Sequence, residues 1–91
     1  MEPSKEVMAF RHKAKALESE AEYERAIVCC NRAIKLDPKD ATTHFHKGTT
    51  LYKIRKMKEA INCYDRAINL NPKQENWKEI RQLLVALTKL T

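Results

Sequence analysis

Arg11 and Lys15 are the side chains best suited to hold a ligand. With Met8, His12 and Ser19 they recur at i, i+3, i+4, i+7 and i+11, which is one face of one helix if the segment is helical. A guanidinium clamps a carboxylate through two parallel hydrogen bonds, whereas an ammonium supplies a less directional charge, so such a stripe suits an acidic or carboxylate-ended ligand. The plainer reading is that these are solvated basic residues that keep a helix in water. Catalysis has no comparable footing. There is no HExxH, no P-loop, no glycine-rich dinucleotide fingerprint and no nucleophile motif, and the single glycine stands inside a helical pattern. A non-enzymatic chain without a cofactor is expected.

Three cysteines, Cys29, Cys30 and Cys63, form no CxxC and are odd in number, and no Asn-x-Ser/Thr acceptor exists. That usage fits a reducing intracellular compartment, such as the cytoplasm, with the thiols acting as small apolar packing groups. A redox role would require a depressed thiol pKa. The net charge of +6 permits attraction to nucleic acid, anionic membrane or acidic peptide and chooses none of them. Acidic residues are interspersed throughout, as in EYERAI and KEAINCYDR, so this is no unstructured basic tail. No apolar run approaches the roughly 18 residues that span a bilayer, and Met1 is followed by EPSKE rather than by a signal-type apolar core. A soluble chain with no membrane partner is expected.

The elements that position these residues can be read from one internal echo. Residues 33–40 read AIKLDPKD and residues 67–74 read AINLNPKQ, an offset of 34. At that offset Ala26 meets Ala60, Ile27 meets Ile61, Cys29 meets Cys63, Arg32 meets Arg66 and Pro38 meets Pro72. Self-similarity at such a period marks a unit that cannot bury its apolar face alone and stacks on a copy of itself. In each copy the apolar set, Ala26, Ile27, Cys30, Ala33, Ile34 and then Ala60, Ile61, Tyr64, Ala67, Ile68, has helical spacing. Asp-Pro or Asn-Pro stops each helix, because proline disfavours helical geometry in the residue before it. Further helical patterns cover about residues 4–20, 41–54 and 75–90, with Ser4 and Asp40 as N-caps for the first two. One Gly, three Pro, 33% charged and 43% hydrophobic residues suit packed helices, not a sandwich or barrel. The expectation is one all-α domain over residues 1–91, five antiparallel helices without a linker, and no room for a large catalytic cavity.

These positions resemble the tetratricopeptide repeat, a family of 34-residue helix pairs stacked as an α-α superhelix, with repeats at residues 7–40 and 41–74 and a capping helix at 75–90. The family's packing positions fall on Phe10, Ala14, Leu17, Tyr23, Ala26, Cys30, Ala33 and Pro38, and in the second copy on His44, Gly48, Leu51, Met57, Ala60, Tyr64, Ala67 and Pro72. Ala14 and Gly48 would let paired helices approach closely. His44 and Lys47 depart from the pattern and suggest a looser join between repeats; His44 should be a partly buried histidine with a backbone partner. Trp77, Leu84 and Leu87 would pack on the second repeat.

In that family, ligands lie in a concave groove lined by the first helix of each pair. The resemblance therefore implies a protein or peptide ligand, extended or acidic, held by Arg11, Lys15 and Lys53, with Phe45 and Tyr52 in apolar contact and His12, His46 and Thr49 beside them. Family members that grip C-terminal acidic peptides of heat-shock chaperones use a five-residue two-carboxylate clamp, whose positions here hold Arg11, Lys15, His46, Asn76 and Ile80. Only Arg11 keeps comparable chemistry, so binding of that kind is disfavoured. His12 and His46, without a nearby carboxylate or thiol, make a poor zinc site, and no metal is expected. Ile80, Leu83, Leu87 and Leu90 extend the apolar arc of the last helix with 3, 4, 3 spacing. A long cap partly wrapped on the core explains them, and a weak homo-oligomer or partner seam is the sharper alternative. Two rival roles stand beside the peptide module: RNA or DNA binding through the basic surface, marked by steep salt dependence, and a structural segment of a larger array or assembly factor.

Overall fold

Two prolines decide where the second helix of each pair ends. Asp37 and Asn71 precede Pro38 and Pro72 and leave the helical region in the same way, with φ, ψ of −144°, 85° and −142°, 78°. The computed structural model describes residues 3–89 and arranges them as α1 (Lys5–Ser19), α2 (Tyr23–Leu36), α3 (Ala41–Lys53), α4 (Met57–Leu70) and α5 (Glu75–Lys89), with no strand among the described residues. None of these helices is long and apolar enough to cross a membrane. The all-α, five-helix expectation holds.

The turn inside each pair is also repeated. Ala21 and Arg55, 34 positions apart, both take positive φ, 61° and 67°. At each, the next residue's N–H reaches back to a leucine carbonyl, Glu22 to Leu17 at 2.8 Å and Lys56 to Leu51 at 2.9 Å, which closes the helix with left-handed C-cap geometry. The sequence offers no glycine at either place, so this turn is invisible to composition. Ser4 caps α1 as expected, accepting from the Val7 N–H at 3.2 Å. Asp40 departs from its expected role: it stands at the N-cap of α3, but its carboxylate accepts from the Thr43 hydroxyl at 2.7 Å and lies 3.5 Å from Arg11 Nη1, with no side-chain bond to the helix backbone.

Each helix packs on the next, α1 on α2, α2 on α3, α3 on α4 and α4 on α5, in a slab of 40 × 30 × 17 Å. Ala26, Ala33, Ala60 and Ala67 are fully buried, which brings the helix axes close, while Val7, Leu17, Leu51 and Tyr64 fill the space between. Gly48 is required: a Cβ there would sit 2.8 Å from the Tyr64 ring and 3.1 Å from the Ala60 carbonyl. α1 and α3 are tied side by side by polar contacts as well. The Thr50 hydroxyl lies 2.9 Å from Glu18 Oε2 and from the His46 carbonyl, and Lys53 Nζ lies 3.2 Å from Glu18 Oε1. α5 closes the far end through Trp77 and Leu84, both buried, and through an ion pair between Arg81 and Asp65. Leu87, expected to pack on the second repeat, is instead 43% exposed. Trp77 and Leu84 are the buried residues of α5, and Leu87, i+3 from Leu84, falls at the edge of that arc.

Candidate functional site

α1 and α3 leave between them a cleft of about 150 Å³, lined by Ala14, Lys15 and Glu18 of α1, Cys30 of α2, and Phe45, His46, Thr49 and Thr50 of α3. The structure thus brings together Lys15, Phe45, His46 and Thr49 of the residues singled out in the sequence. The others sit elsewhere. Arg11 borders a separate opening with Asp40 and Thr42 at the start of α3. Tyr52 and Lys53 border another with Arg55 and Met57 at its end, and His12 is exposed on α1 without lining any of the three.

The charges are arranged differently from the simple stripe. Arg11 pairs with Asp40, places Nη1 3.4 Å from the Met8 sulfur, and buries an Nε that has no partner. Lys53 pairs with Glu18, whose other oxygen meets Thr50. Of the three cations expected to hold a ligand, only Lys15 has a side chain free of any ion pair or hydrogen bond among the described residues; its carbonyl accepts from the Ser19 hydroxyl. His46 is half-buried with an unpartnered Nδ1; burial, then the Lys15 and Arg11 charges, push its pKa below the ordinary value. A neutral imidazole near neutral pH follows, able to donate or accept but not to attract an anion.

Phe45 does less at the surface than its spacing implied. Its ring stacks on Trp77 at 4.9 Å and 13°, and meets Tyr64 at 5.1 Å. The Thr49 hydroxyl lies 3.0 Å from the Tyr64 hydroxyl and 3.2 Å from the Phe45 carbonyl, so it too is held in place. The cleft therefore has a rigid aromatic wall, one free ammonium and one carboxylate. Glu18 and Thr50 are the polar lining residues sequence reasoning missed, while Tyr64, read as a packing residue, also holds the Thr49 hydroxyl. Glu18 could have been found, since it stands at i+3 from Lys15 and i+7 from Arg11 on the same helix face.

The remaining singled-out residues also have definite places. His44 is buried with Nε2 2.9 Å from the Pro38 carbonyl, the backbone partner expected for it. Cys29 and Cys30 are buried and Cys63 half-buried; burial pushes the Cys30 thiol up to about 11 and raises Cys63 as well, the opposite of what a reactive thiol needs. Among the described residues no three His, Cys, Asp or Glu side chains converge as metal ligands would. On α5, Ile80 is half-buried while Leu83 is 65% exposed; Leu90 lies outside the described residues. Asn76 is exposed; it and Ile80 are uncharged residue types, and with the neutral His46 three of the five clamp positions carry no charge.

Comparison with known proteins follows the same outline. A tetratricopeptide-repeat family model matches residues 41–74, and a TPR-repeat model matches residues 15–54. No curated protein sequence matches the chain. Two of the solved structures that share its fold show the likeness. The second TPR of Spaghetti (RPAP3), bound to the HSP90 peptide SRMEEVD, is 24% identical with a TM-score of 0.88, over 93% of this chain and 79% of that one. The first TPR of the same protein, bound to the same peptide, is 12% identical with a TM-score of 0.56, over 94% and 95%.

Proposed function

The chain belongs to the tetratricopeptide-repeat family, and from that premise we propose that it is a non-enzymatic interaction module that holds an extended peptide with an acidic residue in the cleft between α1 and α3. The observation that carries this reading is the convergence of Lys15, Phe45, His46 and Thr49 on one cleft. An ammonium without an internal partner stands at the edge of an aromatic wall fixed by Trp77 and Tyr64, so the cleft offers charge and apolar contact at little ordering cost. The folds it resembles were solved with an acidic peptide bound, which supports a ligand of that general class. The charge pattern argues for one acidic contact rather than a terminal pair of carboxylates. Arg11 and Lys53 are engaged by Asp40 and Glu18, and positions 76 and 80 hold Asn and Ile.

The test is a titration of fluorescein-labelled extended peptides, acidic and neutral, into the wild type and Lys15→Glu. Lys15 is exposed and unpaired, so its reversal should leave the melting curve in place while weakening the acidic peptide by roughly tenfold or more. Equal affinity of the two proteins for that peptide would remove the cleft from the reading.

A further inference from the structure

The two ends of the helix stack are finished differently. At one end α5 covers the second helix pair with Trp77 and Leu84. At the other, the outer face of α1 and α2 is covered by nothing among the described residues. It carries a cleft of about 190 Å³ floored by Phe10, Leu17, Val28 and Cys29 and rimmed by Lys13, Arg25 and Arg32. Terminal faces of stacked repeats normally present polar surface to water. Here Val28 is 52% exposed and Leu36, about two turns further along the same face of α2, is 49% exposed.

The rim is the second observation. Lys13, Arg25 and Arg32 are exposed, and none of their side chains has a hydrogen bond or ion pair among the described residues, although Glu6, Glu20 and Glu24 lie close in sequence on or beside the same helices. Of the three cations Arg11, Lys15 and Lys53 on α1 and α3, two are neutralised by the chain's own carboxylates; on this outer face none is. We propose that the α1–α2 face is a second docking site, and that it takes an acidic amphipathic helix from another protein.

The geometry selects a helix. Arg25, Val28, Cys29, Arg32 and Leu36 stand at i, i+3, i+4, i+7 and i+11, a single ridge along α2, and the groove between two antiparallel helices accepts a third by the same ridge packing that built the pair. Arg25 and Arg32 are two turns apart, about 10 Å along the axis. A partner with acids two turns apart and aliphatic side chains between them would meet both guanidinium groups while filling the slot at Val28. The charge excludes a second copy of this chain as the occupant. Each copy carries +6, and the exposed apolar face it could offer, Leu83 and Leu87 on α5, brings a single acid at i−4 from Leu83, Glu79, against two guanidinium groups. A nucleic-acid backbone would use the three cations but has nothing to place on an aliphatic floor, and Phe10 is sunk in that floor rather than raised as a stacking platform.

The experiment uses the whole chain and a synthetic helical peptide with leucines at i, i+4 and i+7 and glutamates flanking them, made also with lysine for glutamate and with serine for leucine. Binding is read by amide chemical shifts and by anisotropy. The expected result is perturbation at Phe10, Lys13, Val28 and Arg32, with affinity lowered at least about tenfold by Arg25→Glu with Arg32→Glu and by Val28→Ser. The lysine and serine peptides should fail, and Lys15→Glu, in the other cleft, should have no effect; that last control separates failure of this site from failure of the peptide cleft. Any of four results would overturn the proposal: no response to the acidic peptide, perturbations confined to α3, tighter binding of oligo-uridine that is indifferent to Val28→Ser, or self-association abolished by Val28→Ser.

Discussion

At the scale of single residues, two positions set opposing effects against each other. Alanine is a better helix former than glycine by about 1 kcal/mol, yet at Gly48 its methyl would stand 2.8 Å from a Tyr64 ring that is itself buried and hydrogen-bonded to Thr49. The buried ring must shift, and overpacking costs about 1–3 kcal/mol, so after the helix-propensity gain Gly48→Ala should lower stability by up to about 2 kcal/mol on urea unfolding. His46 makes the fold sensitive to acid. Burial and the neighbouring Lys15 and Arg11 hold its pKa below the ordinary 6.5 in the folded chain. Between the folded and ordinary values the unfolded chain binds the extra proton, so this residue contributes nothing at alkaline pH and a growing penalty as pH falls below about 6.5. Comparing urea midpoints near pH 7.5 and 5.5, His46→Gln should lose stability less steeply than the wild type.

At the scale of elements, α5 is the helix whose docking rests on fewest side chains. Trp77 is the chain's only tryptophan, is buried, and forms the stack on Phe45 that joins α5 to α3. Truncating a buried tryptophan costs about 3–5 kcal/mol, against a total of about 5–14 kcal/mol for a chain of this length. Trp77→Ala should therefore release α5, with a helical circular dichroism signal reduced by as much as the share of its 15 residues and a lower urea midpoint. Helix existence and order were readable from the 34-residue echo and the two Asp-Pro and Asn-Pro stops, because periodicity and proline act locally. The left-handed turns at Ala21 and Arg55 were not readable, since neither residue type asks for positive φ. Packing of the flanking helices imposes it twice. The same limit applies to α5, where spacing placed Trp77, Leu84 and Leu87 on an apolar arc but could not say that Leu87 would be left at its edge.

At the scale of the whole molecule, the useful quantity is which charges remain unpaired. Helical spacing identified the cationic stripe of Arg11 and Lys15, but Asp40 and Glu18 reach Arg11 and Lys53 from neighbouring helices, across 29 and 35 positions of sequence. No pattern within one helix reports such pairs; they exist only once α1 and α3 lie side by side. The result is a basic molecule in which Arg11 and Lys53, at the openings by the start and end of α3, are neutralised by the chain's own carboxylates, and Lys15, in the α1–α3 cleft, is left to meet a ligand. An amide-resolved titration with an extended acidic peptide tests that picture most directly. The account predicts shifts concentrated at Lys15, His46 and Thr49, shrinking as salt screens the single charge contact. Shifts absent from these three residues, or distributed over the convex faces of α2 and α4, would contradict it.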